Sequence, residues 1–210
     1  MMHTRVKICG MTRSDDTVAA VRAGADALGF VFVPASPRCL STSDAASLVD
    51  GVPAFVSRFG LFQDQDVEQV ARILDQVPLN VLQFHGSEPA DFCRQFGLPY
   101  VKAVRMTEPG ALESAEQLYS DASALLLDSH SAGTIGGTGR TFDWSLIIDS
   151  SMPLIIAGGL GPENVFELVR THRPWGVDVS SGVESRPGIK DHDLISKFMS
   201  EVDRGNRDSG

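Results

Sequence analysis

The stretch Val6-Lys7-Ile8-Cys9-Gly10-Met11-Thr12-Arg13-Ser14-Asp15-Asp16 sets a pattern that the rest of the chain repeats. A short apolar run stops at a glycine, and a polar break then leads into an amphipathic stretch. Read as a β-strand, the run turns Lys7 and Cys9 to one face and Val6 and Ile8 to the other. A cysteine where a strand gives way to a loop stands where α/β proteins keep their chemistry. The alternative is a buried structural cysteine, since free Cys is among the most buried residue types.

Working outward, the same unit recurs eight times. Strands are expected over 6–10, 27–33, 54–62, 81–85, 100–106, 124–128, 154–158 and 176–180. Helices are expected over 15–23, 43–51, 66–76, 89–96, 111–120, 144–149, 163–172 and 192–204. Val67, Val70, Ala71, Leu74 and Val77 recur at helical spacing, and Ser and Asp open several helices as N-caps. Alternating strands and helices imply a parallel sheet. The count of eight favours an α/β fold of the (β/α)8 TIM-barrel type over an open doubly wound sheet. The absence of a G-x-G-x-x-G after the first strand agrees. No linker or low-complexity segment divides residues 1–210, so a single barrel domain is expected, with a polar, frayed tail at 204–210.

Composition narrows the function classes. The chain is 42% hydrophobic and 21% charged, ordinary for a globular protein. No apolar run reaches the length of a membrane span, and the first residues lack a secretory signal. Cys9, Cys39 and Cys93 are odd in number and unevenly spaced, which argues against a disulfide framework and for a reducing, cytoplasmic setting. No pair has C-x-x-C spacing, so no zinc or redox site is expected. A formal net charge of −9 disfavours nucleic acid as a partner. It does not disfavour a small phosphorylated ligand. Screening at physiological salt extends only about 8 Å, and backbone N–H groups at a helix start outweigh distant carboxylates.

In a barrel, active groups sit at the carboxyl ends of the strands. The first strand ends at Cys9. The loop Pro34-Ala35-Ser36-Pro37-Arg38 follows the second, stiffened by two prolines. Arg38 is either a grip for a carboxylate or a solvated surface residue. Gln83 and His85 share a face of the fourth strand, so one pointing inward implies both. His85 is either a ligand contact or a satisfied core histidine. The sixth strand is apolar until Asp128, a carboxylate that must be exposed in a site, paired or protonated. Residues 129–140 carry glycines at 133, 136, 137 and 139, a loop composition suited to mobility or close approach to a ligand. The seventh and eighth strands end in Gly158-Gly159 and Ser180-Ser181-Gly182. The loops after these two strands frequently form a phosphate site in barrels, where glycine lets backbone N–H groups face the anion.

With these residues assembled, the chain closely resembles the phosphoribosylanthranilate isomerases of tryptophan biosynthesis. The resemblance covers nearly the whole chain. It rests on Val6-Lys7-Ile8-Cys9-Gly10-Met11-Thr12, on Gly29-Phe30-Val31-Phe32 leading to Ser36-Pro37-Arg38, and on Gln83-Phe84-His85-Gly86. It rests further on Leu127-Asp128-Ser129, Gly136-Gly137-Thr138-Gly139 with Phe142-Asp143-Trp144, Ala157-Gly158-Gly159-Leu160, and the run Val177 to Glu184. One departure is Arg140, where a lysine is expected; the charge is kept. The resemblance implies an intramolecular oxidoreductase, an aldose-ketose isomerase. It converts N-(5-phosphoribosyl)anthranilate to 1-(2-carboxyphenylamino)-1-deoxyribulose 5-phosphate by an Amadori rearrangement. It implies no metal or organic cofactor. Cys9 takes the place of the family's base and Asp128 that of its acid. Arg38 would hold the anthranilate carboxylate. Gly158, Gly159, Ser180, Ser181 and Gly182 would hold the phosphate, and His85 would contact the substrate.

The protonation states pose a difficulty. Free Cys ionises near pH 8.5 and free Asp near about 3.9, so at neutral pH both are mostly in the wrong form. Burial raises both, helping Asp128 and hurting Cys9. Lys7, two residues from Cys9 on the same face, restores part of the thiolate unless Asp178 on the eighth strand neutralises it. A Lys7–Asp178 pair inside the barrel is therefore expected. Rival readings are a histidine-pathway isomerase, which does the same chemistry with two aspartates, and a non-catalytic phosphate-ligand binder. Cys9 and Arg38 speak against the first, and a thiol facing a carboxyl group speaks against the second. A monomer and a homodimer are equally compatible with the sequence.

Overall fold

A computed structural model describes residues 3–129 and 143–208. The glycines at 133, 136, 137 and 139, and Arg140, lie outside the described residues. The chain begins with β1 (Arg5–Cys9), α1 (Ser14–Arg22), β2 (Ala27–Val31), α2 (Thr42–Asp50), β3 (Ser57–Phe62), α3 (Val67–Leu74) and β4 (Val81–Phe84). It continues through α4 (Ala90–Arg94), β5 (Tyr100–Arg105), α5 (Ala111–Leu118), β6 (Ala124–Asp128), β7 (Leu154–Ile156), α6 (Val165–His172) and β8 (Gly176–Val179). A short hairpin, β9 (Glu184–Arg186) and β10 (Ile189–Lys190), precedes α7 (His192–Asp208). Strands β1 to β8 form a closed barrel in sequence order, and β1 pairs in parallel with both β2 and β8.

Strand alternation sorts the side chains into two layers. The outward residues Val6, Ile8, Leu28, Phe30, Phe62, Leu82, Phe84, Leu125, Leu127, Ile156 and Val177 join the core beneath the helices. The inward residues Ala27, Phe59, Val101, Ala124, Leu126, Ile155 and Ala157 form a separate inner cluster. Both faces are therefore buried, as in parallel sheets generally. Phe84 lies at the centre of an aromatic group, with the rings of Phe62, Phe92, Phe96 and Tyr100 at centroid distances of 6.0, 5.8, 5.9 and 6.2 Å. Toward the carboxyl ends the inner lining changes from apolar to polar.

Three expectations need correction. The helix expected over 144–149 is a single 3-10 turn, Trp144–Leu146. Asp143 caps it by accepting from the Ser145 N–H at 2.9 Å, and Ile147 is already extended. The β-branched pair Ile147-Ile148 favours that extension. The frayed end expected from 204 is instead helical, since α7 continues through Asp208 with Gly205 buried. Asn206 ties this end down by accepting from the Thr4 N–H at 3.1 Å. The hairpin β9–β10 was not expected at all. Among the described residues, no helix is long and apolar enough to cross a membrane.

Phe84 is fully buried, so Phe84→Ala leaves a void among four rings. Chemical denaturation of that variant is expected to show a loss of about 3–5 kcal/mol.

Candidate active site

The polar end of the barrel opens into a cavity of about 570 Å³, within the range of small-molecule sites. Cys9, Arg38, Gln83, His85, Asp128, Gly158, Gly159, Asp178, Ser180 and Ser181 all line it. Eight of the nine residues singled out from the sequence thus meet at one place. The ninth, Gly182, stands behind the lining. A Cβ there would overlap the carbonyl oxygen of Leu160, so this glycine lets the loops after β7 and β8 pack together.

On one side, β1 and β8 present charge. The Lys7 ammonium donates to Asp178 Oδ2 at 2.8 Å, the pair expected from the sequence, and both groups are almost fully buried. Lys7 also lies 5.5 Å from the centre of the Phe59 ring below it. Burial opposes the Lys7 charge, but Asp178 and Cys9 together outweigh it and raise its pKa. Cys9 follows on the same face, 5% exposed, with its sulfur toward β2. Gly29 is its register partner, and a Cβ there would lie 2.6 Å from the sulfur. Glycine is what makes room for the thiol. Burial pushes the Cys9 thiol up, while Lys7 and Lys190 pull it back.

Across the mouth, β4 and β6 present a different chemistry. His85 Nε2 lies 3.0 Å from Asp128 Oδ2, and His85 Nδ1 lies 3.1 Å from Gln83 Nε2. An amide nitrogen only donates, so Nδ1 accepts and Nε2 carries the hydrogen that Asp128 receives. His85 is therefore neither a core histidine nor isolated; it orients the carboxyl group. Among the described residues, Gln83 Oε1 is buried without a hydrogen-bond partner. Gly158 stands against this carboxyl group, with φ +81 and an added Cβ only 2.5 Å from Asp128 Oδ1.

Arg38 is only 6% exposed. Its Nε and Nη2 donate to Glu184 Oε1 and Oε2 at 2.8 and 2.6 Å, a bidentate pair that takes two of its five N–H donors. That bond raises the Arg38 pKa. Burial alone would push Glu184 up, but Arg38 and Lys190 hold its carboxyl below the usual range. Gly10, at φ +79, lets the Arg38 side chain pass: an added Cβ would strike Arg38 Cδ. The loop after β7 is pinned by Asn164, which accepts from the Gly161 N–H at 3.0 Å and donates to the Gly159 carbonyl at 2.9 Å.

Sequence reasoning missed Glu184 and Lys190 as parts of this end of the barrel. The Pro187-Gly188 pair is a turn signal from which their hairpin was readable. The contact of His85 with Asp128 joins residues 43 apart in the chain and had no local signal.

Comparison with known proteins agrees with this geometry. The sequence model described as "N-(5'phosphoribosyl)anthranilate (PRA) isomerase" matches residues 6–201. An N-(5'-phosphoribosyl)anthranilate isomerase of Halorhodospira halophila is 50% identical over 207 residues, covering 98% of this chain and 99% of the relative. The crystal structure of the Thermotoga maritima phosphoribosyl anthranilate isomerase superposes with a TM-score of 0.88 at 41% identity, over 95% of this chain and 98% of that one. A second structure of such an isomerase, in complex with reduced 1-(o-carboxyphenylamino)-1-deoxyribulose 5-phosphate, gives a TM-score of 0.85 at 40% identity with the same coverage.

Gly158→Ala and Gly97→Ala separate backbone strain from site geometry. Both positions have positive φ, but a Cβ at Gly97 meets nothing within 4 Å. Each variant is expected to lose about 1–2 kcal/mol in thermal or chemical unfolding. Only Gly158→Ala is expected to lose activity as well, by about tenfold or more in kcat, because its Cβ displaces the Asp128 carboxyl group that lines the cavity.

Proposed function

We infer the reaction from one premise: this chain belongs to the N-(5'-phosphoribosyl)anthranilate isomerase family and is an isomerase of tryptophan biosynthesis. The proposed reaction takes N-(5-phosphoribosyl)anthranilate to 1-(2-carboxyphenylamino)-1-deoxyribulose 5-phosphate by an Amadori rearrangement. The observation that carries this reading is a thiol and a carboxyl group lining one cavity with different neighbours.

In this mechanism Asp128 gives a proton to the furanose oxygen, and the C1–O bond breaks to leave a protonated imine. The imine acidifies the proton on C2. Cys9, as thiolate, removes that proton, and the electron pair moves into the C1–C2 bond to give an enolamine. Tautomerisation then yields the ketone. His85, donating to one oxygen of Asp128, fixes the carboxyl group toward the sugar. The N–H donors of Arg38 not taken by Glu184 meet the anthranilate carboxylate. Backbone around Gly158, Gly159, Ser180 and Ser181 meets the phosphate, with Gly182 holding the two loops together. Binding at these two remote ends positions the sugar between acid and base. The substrate is small, phosphorylated and bound without a metal.

Loss of anthranilate-type fluorescence on mixing with substrate follows the reaction directly. Cys9→Ser is expected to lower kcat by about 10²–10⁴-fold while substrate still binds; normal turnover in that variant removes Cys9 from the mechanism. Because burial raises the Cys9 thiol, the thiolate is scarce at neutral pH, and kcat/KM of the wild-type enzyme is expected to climb as pH rises above neutrality. A profile that falls over that range contradicts a thiolate base. Arg38→Ala is expected to raise KM about tenfold or more, through loss of a charge-assisted carboxylate contact. Unchanged KM and kcat in a steady-state assay refute that role.

A further inference from the structure

The carboxyl ends of β1 and β8 and the loop carrying Arg38 converge on one side chain that does not line the cavity. Lys190, on β10, is 4% exposed overall, and its side chain is wholly buried. Its ammonium donates to the Cys9 carbonyl at 2.6 Å, to the Ser180 carbonyl at 3.1 Å and to Glu184 Oε1 at 2.8 Å. An ammonium has three donors, and these are three acceptors. A neutral amine would leave one of them unmet. The backbone N–H of Lys190 is itself held by Asp16 Oδ2 at 3.0 Å, so the side chain enters from a fixed root.

We propose that Lys190 is a positioning residue of this active site, setting the end of the base strand, the start of the phosphate loop and, through Glu184, the guanidinium of Arg38. The inference rests on the roles given above to Cys9, Ser180 and Arg38. One cation ties together the carbonyl of the residue bearing the thiol, the carbonyl of the residue opening the anion seat and the carboxylate that clamps the carboxylate-binding arginine. Arg38 lies 29 residues after Cys9, and Ser180 142 residues after Arg38. Nothing local keeps them in register. The same cation adds to the field at the thiol. Around Cys9 the charged groups are Lys7 on its own strand, Asp178 on β8, Arg38 from the loop after β2, and Lys190 from β10. Removing Lys190 therefore removes both a tether and one of three positive charges facing the sulfur.

Two substitutions test this, each read by steady-state kinetics, thermal unfolding and pH-dependent alkylation of Cys9 followed by peptide mass spectrometry. Peptide resolution keeps the exposed Cys39 out of the reading. Lys190→Met keeps the length and apolar stem. It is expected to fold, to lose about tenfold in kcat, and to move the Cys9 alkylation midpoint to higher pH, with about threefold slower reaction on the rising limb. Glu184→Gln keeps the shape and removes the negative charge. It is expected to raise KM, because Arg38 is unclamped, and to move Cys9 alkylation the opposite way, toward lower pH. Lys190→Met that folds and leaves the Cys9 profile unmoved overturns the inference, whether or not kcat falls. If Lys190→Met does not fold, Glu184→Gln decides: a raised KM with faster Cys9 alkylation supports the inference, and no change in either overturns it. Alkylation does not depend on turnover. An inactive role for Cys9, seen in Cys9→Ser, therefore stays distinguishable from a failed role for Lys190.

Discussion

The site depends on the ion pair between Lys7 and Asp178, formed where the first strand of the barrel meets the last. Lys7 and Asp178 are register partners on β1 and β8, so their contact spans the seam that closes the sheet. Each ion alone would carry a desolvation cost of several kcal/mol in this interior. Neither is tolerable there without the other, and the apolar lining beneath them offers no substitute partner. The alternation of the strand then fixes the next consequence. If Lys7 points inward, Cys9 two residues later points inward too. Closure of the fold and the electrical setting of the thiol thus follow from one contact.

This setting suits an acidic protein to a ligand with two anionic groups, a phosphate and a carboxylate. The formal charge of −9 belongs to the chain as a whole. At the cavity mouth cations are concentrated: Lys7, Arg38 and Lys190 are all buried at or behind its lining. Their carboxylate partners, Asp178 and Glu184, are buried with them and hold them in place. Outer carboxylates more than about 8 Å away are screened by salt, whereas buried groups are screened far less. The sum over the surface therefore says little about the charge a ligand meets.

The fold was legible because eight apolar runs each ended in a break that water-facing residues could fill. β6 has the bounds read from sequence, Ala124–Asp128. Its neighbours in the chain supply no β-forming residue to blur the edges. β3 starts later than expected, at Ser57, because the Val56 N–H bonds the Pro53 carbonyl in a turn that consumes Ala54 and Phe55. β7 stops early, at Ile156, because Gly158 and Gly159 both take positive φ. At the site, Cys9, Arg38, His85 and Asp128 were legible as polar residues at strand ends. Their partners were not. Lys190 sits between Ile189 and Asp191 in a polar-looking segment, and only the hairpin turns it inward. Glu184 reads as one more surface acid until Arg38 is seen against it.

The two sides of the cavity differ in their neighbours, which is what supports the roles proposed for them. Lys7, Arg38 and Lys190 act on the thiol in favour of its anion, against burial and Asp178, which on balance still raise its pKa. Asp128 faces an imidazole and, behind it, an amide, groups that orient its carboxyl. Separating two titratable groups into opposite environments is how one cavity runs acid and base chemistry together. Here the separation is built into strand order: β1 and β8 close the charged seam, and β4 and β6 face it across the mouth.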